Sequence, residues 1–435
     1  MPTPPKPPLP PPLATSEPTV RVPRAWTFRF GLLWFGFWMA NLAPIQLVLP
    51  NQFDVLDHAH KVRDFGLVSG LTGIAAVITL PLFGALCDRT RSRFGRRRVW
   101  MAGGTAVFVV GLLLTGVQST WWAVGLAWLV ATLGINMATA GLAAAIADEV
   151  PDEQRGAISA AIYGPQAVGI LVGVGVLTAF NLGGGTSSNV GSSSTATSGT
   201  GWGYLFLAVA LVACAIPFIR RYRDAAPDGR TEPLTVRSIV SGMWIDPRAN
   251  PDFAWAFGGR LLVNLGNALG TTYLLYFLQD DLKLKDPDGG LLVLTLVYLV
   301  FTLTATVLGG RLSDRTGRRR VFVASAAGLQ AVASFQLTFF PSYGVALVAA
   351  GFLGAGYGAY MSVDQALITA VLPDALSRAK DLGIMNVGSV GPQALAPLGA
   401  SLIIGELGGY PVLFGTAGVA TVLGALMVYR VRSVR

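Results

Sequence analysis

Apolar residues in this chain gather into twelve blocks, each near the ~20 residues that a helix needs to cross the hydrocarbon core of a bilayer. They fall at about 26–49, 66–87, 99–118, 121–147, 156–180, 203–219, 253–279, 290–310, 321–340, 343–371, 382–404 and 410–429. The pattern predicts an all-α membrane protein with twelve transmembrane helices and no globular domain between them. The polar breaks are unequal. Arg-rich connections follow the second, sixth and eighth blocks, and the N-terminal tail and Arg430, Arg432 and Arg435 lie on the same side. The opposite breaks hold Lys61, Arg63, Lys283 and Lys285, interleaved with acids. An excess of Arg and Lys marks cytoplasmic loops, so both termini are expected in the cytoplasm.

The same pattern divides the chain. Residues 1–25 open on a proline-rich run, which predicts a disordered, polyproline-like cytoplasmic tail rather than a signal peptide. A docking role for its Pro-x-x-Pro spacing stays open beside a plain solvated tail. Residues 26–219 form a first six-helix half, 220–252 a cytoplasmic central linker, 253–429 a second half and 430–435 a cytoplasmic tail. Leu182 to Gly201, uncharged and rich in Gly, Ser and Thr, predicts a flexible outer loop.

Composition agrees with a membrane chain. Apolar residues make up 52% and charged residues 13%, against about a quarter charged in soluble domains. A net charge of +9 could signal nucleic acid, but the arginines sit between apolar spans and no soluble basic domain is present. Nucleic acid is therefore excluded as a partner, leaving a small solute and the lipid bilayer, with the chain a monomer. Cys87 and Cys214 lie in or beside apolar blocks as packing residues, and His58 and His60 as solvated side chains in an outer loop. Gly354, Gly356 and Gly358 superficially resemble a phosphate-binding turn, but they lie within a span without a preceding strand or a Lys, so close helix packing explains them. No nucleotide loop, metal cluster or nucleophile–base set is present, so neither an enzyme nor a bound cofactor is expected.

Three motifs recur in order. Gly84-Ala-Leu-Cys-Asp-Arg-Thr-Arg-Ser-Arg-Phe-Gly-Arg-Arg-Arg98 returns in shortened form as Gly310-Arg-Leu-Ser-Asp-Arg-Thr-Gly-Arg-Arg-Arg320. Pro151-Asp152 returns as Pro373-Asp374, and Gly164-Pro165-Gln166-Ala167 as Gly391-Pro392-Gln393-Ala394. A duplicated half within a membrane chain points to a transporter. The second Arg loop resembles the Gly-x-x-x-Asp-Arg-x-Gly-Arg-Arg-Arg signature of the major facilitator superfamily. The first, longer loop resembles that of the glycoside–pentoside–hexuronide:cation symporters and related sucrose transporters. The resemblance covers nearly the whole chain from about residue 26. It implies a cytoplasmic gate formed by Gly84, Asp88, Arg89, Gly95 and Arg96 with Gly310, Asp314, Arg315, Gly317 and Arg318, latching the halves when the cavity opens outward. Topology signalling alone would explain the arginines but not the Asp and Gly.

Two charges lie well inside apolar blocks, Arg260 in the seventh and Asp364 in the tenth. A charge there costs roughly 2.5–3.5 kcal/mol even on the lenient insertion scale, so it should face a cavity or a partner. Both sit roughly 10 Å along their helices at 1.5 Å per residue, at similar depth, which permits a pair. Arg260, Asn264, Asn267 and Thr271 form one polar stripe, and Tyr357, Tyr360 and Asp364 share a face. The resemblance implies that the first, fourth, seventh and tenth spans line the central cavity. Further candidates to touch the solute are Asn41 and Gln46 flanking Pro44, Asn136, Tyr163, Gln166, Asn386 and Gln393, although such groups also make interhelical hydrogen bonds.

Asp364 either takes up a proton, tuned by Arg260, or forms with it a static pair that pins two helices. The chain departs from the sucrose-type pattern in lacking an acid deep in the first or fourth span. Together these features predict a plasma-membrane secondary transporter working by alternating access, a proton- or cation-coupled symporter for a sugar or glycoside with H+ as the coupling ion. Proton-antiport export of a drug or amphipathic metabolite, or a non-transporting sensor of the same fold, are the alternatives.

Overall fold

The structure, a computed structural model, describes residues 21–151, 154–180, 193–222, 224, 248, 250–316, 319–371 and 378–431. Among the described residues the backbone forms twelve helical segments. In the first half these are α1 (Arg24–Leu56), α2 (Lys61–Arg89), α3 (Arg96–Gly116), α4 (Trp121–Glu149), α5 (Arg155–Ala179) and α6 (Ser193–Ile219). The second half holds α7 (Pro251–Thr272, continued by Leu274–Asp281 after a 42° bend), α8 (Pro287–Thr316) and α9 (Arg319–Phe339). It closes with α10 (Tyr343–Val371), α11 (Arg378–Glu406) and α12 (Gly409–Tyr429). Ten are long and apolar enough to cross a membrane alone, and the bent α7 makes an eleventh. In α5 the apolar stretch is confined to Gly164–Ala179.

The two halves repeat one packing scheme. In the first, α1 packs on α5 and α6, α4 on α2 and α3, and α3 on α6. In the second, α7 packs on α11 and α12, α10 on α8 and α9, and α9 on α12. The halves meet where α2 packs on α11 and α5 on α8, contacts that interchange under the same six-helix shift. This is a twelve-helix bundle in two pseudo-symmetric halves. The tail before residue 21 and nearly all of the central linker lie outside the described residues.

One expectation changes. The Gly/Ser/Thr-rich stretch expected as loop up to Gly201 is helical from Ser193. Weak intrinsic propensity yields to tertiary contact here: Thr200 is buried, and Gly201 lies so close to the Gly116 carbonyl that an added Cβ would stand 3.3 Å from it. The pseudo-equivalent helices α1 and α7 also carry π-helical turns, Pro44–Val48 and Phe277–Asp281. Pro44 has no N–H to donate and its ring crowds the preceding turn, and the wider π turn accommodates it.

The halves are closed on the face opposite the Arg-rich loops. There Lys61 Nζ stands 2.6 Å from Asp280 of the other half and 2.8 Å from Asp54 of its own. Tyr276 donates to the Pro50 carbonyl at 2.9 Å, and Gln279 Nε2 to Asn51 Oδ1 at 2.9 Å. Below this layer a Cβ at Gly73 of α2 would come within 2.6 Å of the Ala394 backbone of α11. Gly84 lies eighteen residues beyond Gly66, on the same face of α2 about five turns later, yet it meets nothing within 4 Å among the described residues. On α5, Gly175 faces Leu292 of α8, while Gly164, about three turns nearer the Arg-rich face, meets nothing within 4 Å among the described residues. Both seams therefore splay apart toward the Arg-rich face. The cavity opens on that side.

Candidate functional site

The polar stripe of α7 is turned inward. Arg260, Asn264 and Asn267 are buried on an otherwise apolar helix. Arg260 Nη1 lies 2.7 Å from Asp364 Oδ2 on α10, with both side chains about 95% or more removed from solvent (5% and 3% exposed). The contact is close but poorly aligned as a hydrogen bond, so its character is chiefly electrostatic. Arg260 Nη2 also donates to Ser389 Oγ of α11 at 3.3 Å, tying three helices at one point. Asn264 Nδ2 donates to the Arg260 carbonyl at 2.8 Å and to the Tyr360 hydroxyl at 3.4 Å. Tyr360 lies one turn before Asp364 on α10 and is itself buried. Three donors in this cluster have no hydrogen-bond partner among the described residues: Arg260 Nε, Arg260 Nη1, which makes only the ion-pair contact, and Asn267 Nδ2. Nearby, Tyr298 pairs with Tyr357, ring centroids 6.3 Å apart.

The other cavity candidates divide. Asn41 and Gln46 are half-buried beside the π turn and make no hydrogen bond to described residues, as does half-buried Gln166. Gln393 is exposed. Asn136 donates to Thr79 Oγ1 at 2.9 Å and to the Ala76 carbonyl at 3.3 Å, so it pins α4 to α2. The side chains of Tyr163, Asn386, Asp88 and Asp314 lie outside the described set, as do residues Gly317 and Arg318 altogether.

The first Arg loop is held inside its own half. Arg97, buried at the start of α3, places Nε 2.9 Å from Asp148 at the end of α4, and Arg96 reaches the same carboxylate at 3.2 Å. Arg97 also donates to Cys87 Sγ at 3.4 Å. The Asp224 carboxylate accepts the backbone N–H groups of Arg97 and Arg98 at 2.8 and 3.0 Å, filling the positive N-terminus of α3. Gly95 makes this possible. It sits at φ +99°, ψ 148°, a conformation open almost only to glycine, and a Cβ there would overlap the Asp224 carboxylate. Arg89 and Arg315 are exposed, and Gly310 lies near Ser362. Beside this loop, Glu149 accepts from Trp26 Nε1 at 2.9 Å. Burial, with Asp148 and Asp224 nearby, raises its pKa despite the Trp26 bond.

Sequence reasoning missed Ser389, the Asp148–Asp224 anchorage and the Lys61 bridge. Asp148 at a span end opposite an Arg loop was a readable signal; Ser389 gave none.

A twelve-helix bundle in two repeated halves, cavity open at one face and closed at the other, defines the architecture of a membrane transporter. The profile of the Major Facilitator Superfamily matches residues 27–307 and 257–435. The chain belongs to that superfamily. Its sequence is similar to the multidrug resistance protein MdtG of Salmonella paratyphi C (strain RKS4594), 29% identical over 167 residues, 35% of this chain and 40% of that protein. The Salmonella typhi MdtG is 28% identical over 165 residues, 34% of this chain and 39% of that protein. The matched region thus spans about two fifths of these relatives. The fold is similar to that of the nucleoside transporter NupG, in a crystal structure of a point mutant, with TM-score 0.69 and 12% identity, covering 93% of this chain and 99% of that one.

Proposed function

We propose that this protein moves a small organic solute across the plasma membrane by alternating access, coupled to protons through Asp364. The Arg-rich face, with both termini, is cytoplasmic, so the cavity here faces inward. The buried Arg260–Asp364 contact carries the reading. A carboxylate so deep is tolerable only while its partner neutralises it or a proton does. Solute or a proton drawing Asp364 away from Arg260 would couple the two fluxes. Asn264 and Tyr360 adjoin the pair, and the unpartnered Arg260 Nε and Asn267 Nδ2 are donors available to a solute acceptor.

Two solute classes have support. Similarity to the multidrug resistance proteins favours export of an amphipathic compound by proton antiport. The long first Arg loop and the amide-rich stripe favour proton-coupled sugar or glycoside uptake. Counterflow in proteoliposomes, with cationic dyes and with disaccharides and glycosides, separates them. The solute that exchanges should do so in wild type and in Asp364→Asn alike, while a pH gradient should drive uphill movement in wild type only. Uphill movement by the variant at the wild-type rate would reject Asp364 as the coupling acid.

A further inference from the structure

A second cavity, of about 200 Å³, lies within the first half at its Arg-rich end, apart from the Arg260–Asp364 cluster. It is lined by Trp26 and Arg29 of α1, Glu149 at the end of α4, Phe218 of α6, and Arg221 and Tyr222 just beyond it. All three helices reach their ends here, so the cavity sits where a span meets the headgroup layer. It is smaller than the ~300–1,000 Å³ typical of drug-sized ligand sites, which argues against a transported solute. Its chemistry is divided in two. Arg29 and Arg221 supply guanidinium groups without an ion pair or hydrogen bond to described residues. The Arg96 and Arg97 side chains nearby are instead committed to Asp148.

The other side of the cavity is aromatic and acidic. Trp26 stacks on Phe30 with centroids 4.8 Å apart and meets Phe218 edge-on at 5.2 Å, and Phe218 packs on Tyr222 at 5.7 Å. Glu149 is held among these rings by the Trp26 bond. Guanidinium pairs take phosphate oxygens, whereas a carboxylate beside aromatic faces takes an ammonium group. A plain anion would satisfy the first set and be repelled by the second.

We infer that this cavity binds a phosphodiester headgroup bearing a primary amine, the phosphate on Arg29 and Arg221 and the amine on Glu149. Basic pockets between spans on the cytoplasmic side suit lipid headgroups, and Trp and Tyr are favoured at that depth. Phe28 and Ile216, both exposed on the same helices close to this level, offer acyl chains an apolar path. The raised pKa of Glu149 fits a carboxyl group that gains from a cation beside it.

Native mass spectrometry of delipidated protein tests this, with phosphatidylethanolamine, phosphatidylglycerol and free glycerophosphoethanolamine as probes. Phosphatidylethanolamine should bind in preference to phosphatidylglycerol. Arg29→Gln/Arg221→Gln should weaken it about tenfold or more, while Arg29→Lys/Arg221→Lys retains part of the binding. Glu149→Gln should erase the preference over phosphatidylglycerol. Free glycerophosphoethanolamine competing at equal concentration would name a soluble ligand of the same chemistry; failure to compete would name the bilayer lipid. Equal binding of both lipids to wild type, or binding unchanged in the Arg double variant, would overturn the proposal. Circular dichroism and size-exclusion profiles matching wild type establish that each variant is folded.

Discussion

At the scale of single residues, the buried charges make the sharpest predictions. Removing one member of a buried ion pair leaves the other uncompensated, at about 3–5 kcal/mol. Arg260→Gln should therefore lower thermal stability strongly. Arg260→Gln/Asp364→Asn should be less damaged than Arg260→Gln alone, because the stranded carboxylate is gone. A double variant whose loss equals the sum of the two single losses would show that the 2.7 Å contact contributes no coupling. Glu149 predicts a pH effect of defined sign. Its folded pKa is raised, chiefly by burial, so the folded state holds the proton more tightly than the unfolded chain does. Stability from this group is complete below the ordinary glutamate range and falls as pH rises from there through the raised folded value. Wild type should thus lose melting temperature relative to Glu149→Gln across that window. A constant difference between the two proteins would contradict the assignment.

At the scale of elements, the Arg loop joining α2 to α3 depends on one backbone conformation. Gly95→Ala must either abandon φ +99° or push Asp224 off the start of α3. A cost of about 1–3 kcal/mol for the backbone alone is expected, read as a lower melting temperature, with Asp224→Asn milder because its amide oxygen can still accept. The loop also shows how far the sequence could be read. Its glycine, acid and arginines are adjacent in the chain and repeat, so the motif was legible. Its anchor, Asp224, stands in a linker some 126 positions away, and no periodicity connects them. The twelve spans were legible because lipid demands long apolar helices with satisfied backbones. The π turns were not, although Pro44 marked the place. The polar stripe of α7 announced an inward face, whereas Asn136 carries the same amide chemistry and spends it on Thr79. Composition cannot separate those two uses.

At the scale of the whole molecule, the closed face depends on close approach of α2 to α11 and on Lys61 bridging carboxylates from both halves. Ser401 lies against Gly66 in that seam and is 9% exposed. With Ser401→Cys as a reporter, Gly73→Trp should accelerate maleimide labelling by forcing the seam open. Lys61→Met should act in the same direction more weakly. Labelling no faster than in the parent would show that neither contact governs closure.

The two seams are related by pseudo-symmetry but not by strength. Along α2 and α11 a Cβ at Gly66, Gly70 or Gly73 would overlap the Ser401 side chain, the Leu398 side chain or the Ala394 backbone, while along α5 and α8 the approach at Gly175 is to the tip of Leu292, 3.6 Å away. A door swings on its tighter edge. If the halves rock about the α2–α11 line, the gap between α5 and α8 travels farther in each cycle, and an inhibitor shaped as a wedge would find its purchase there.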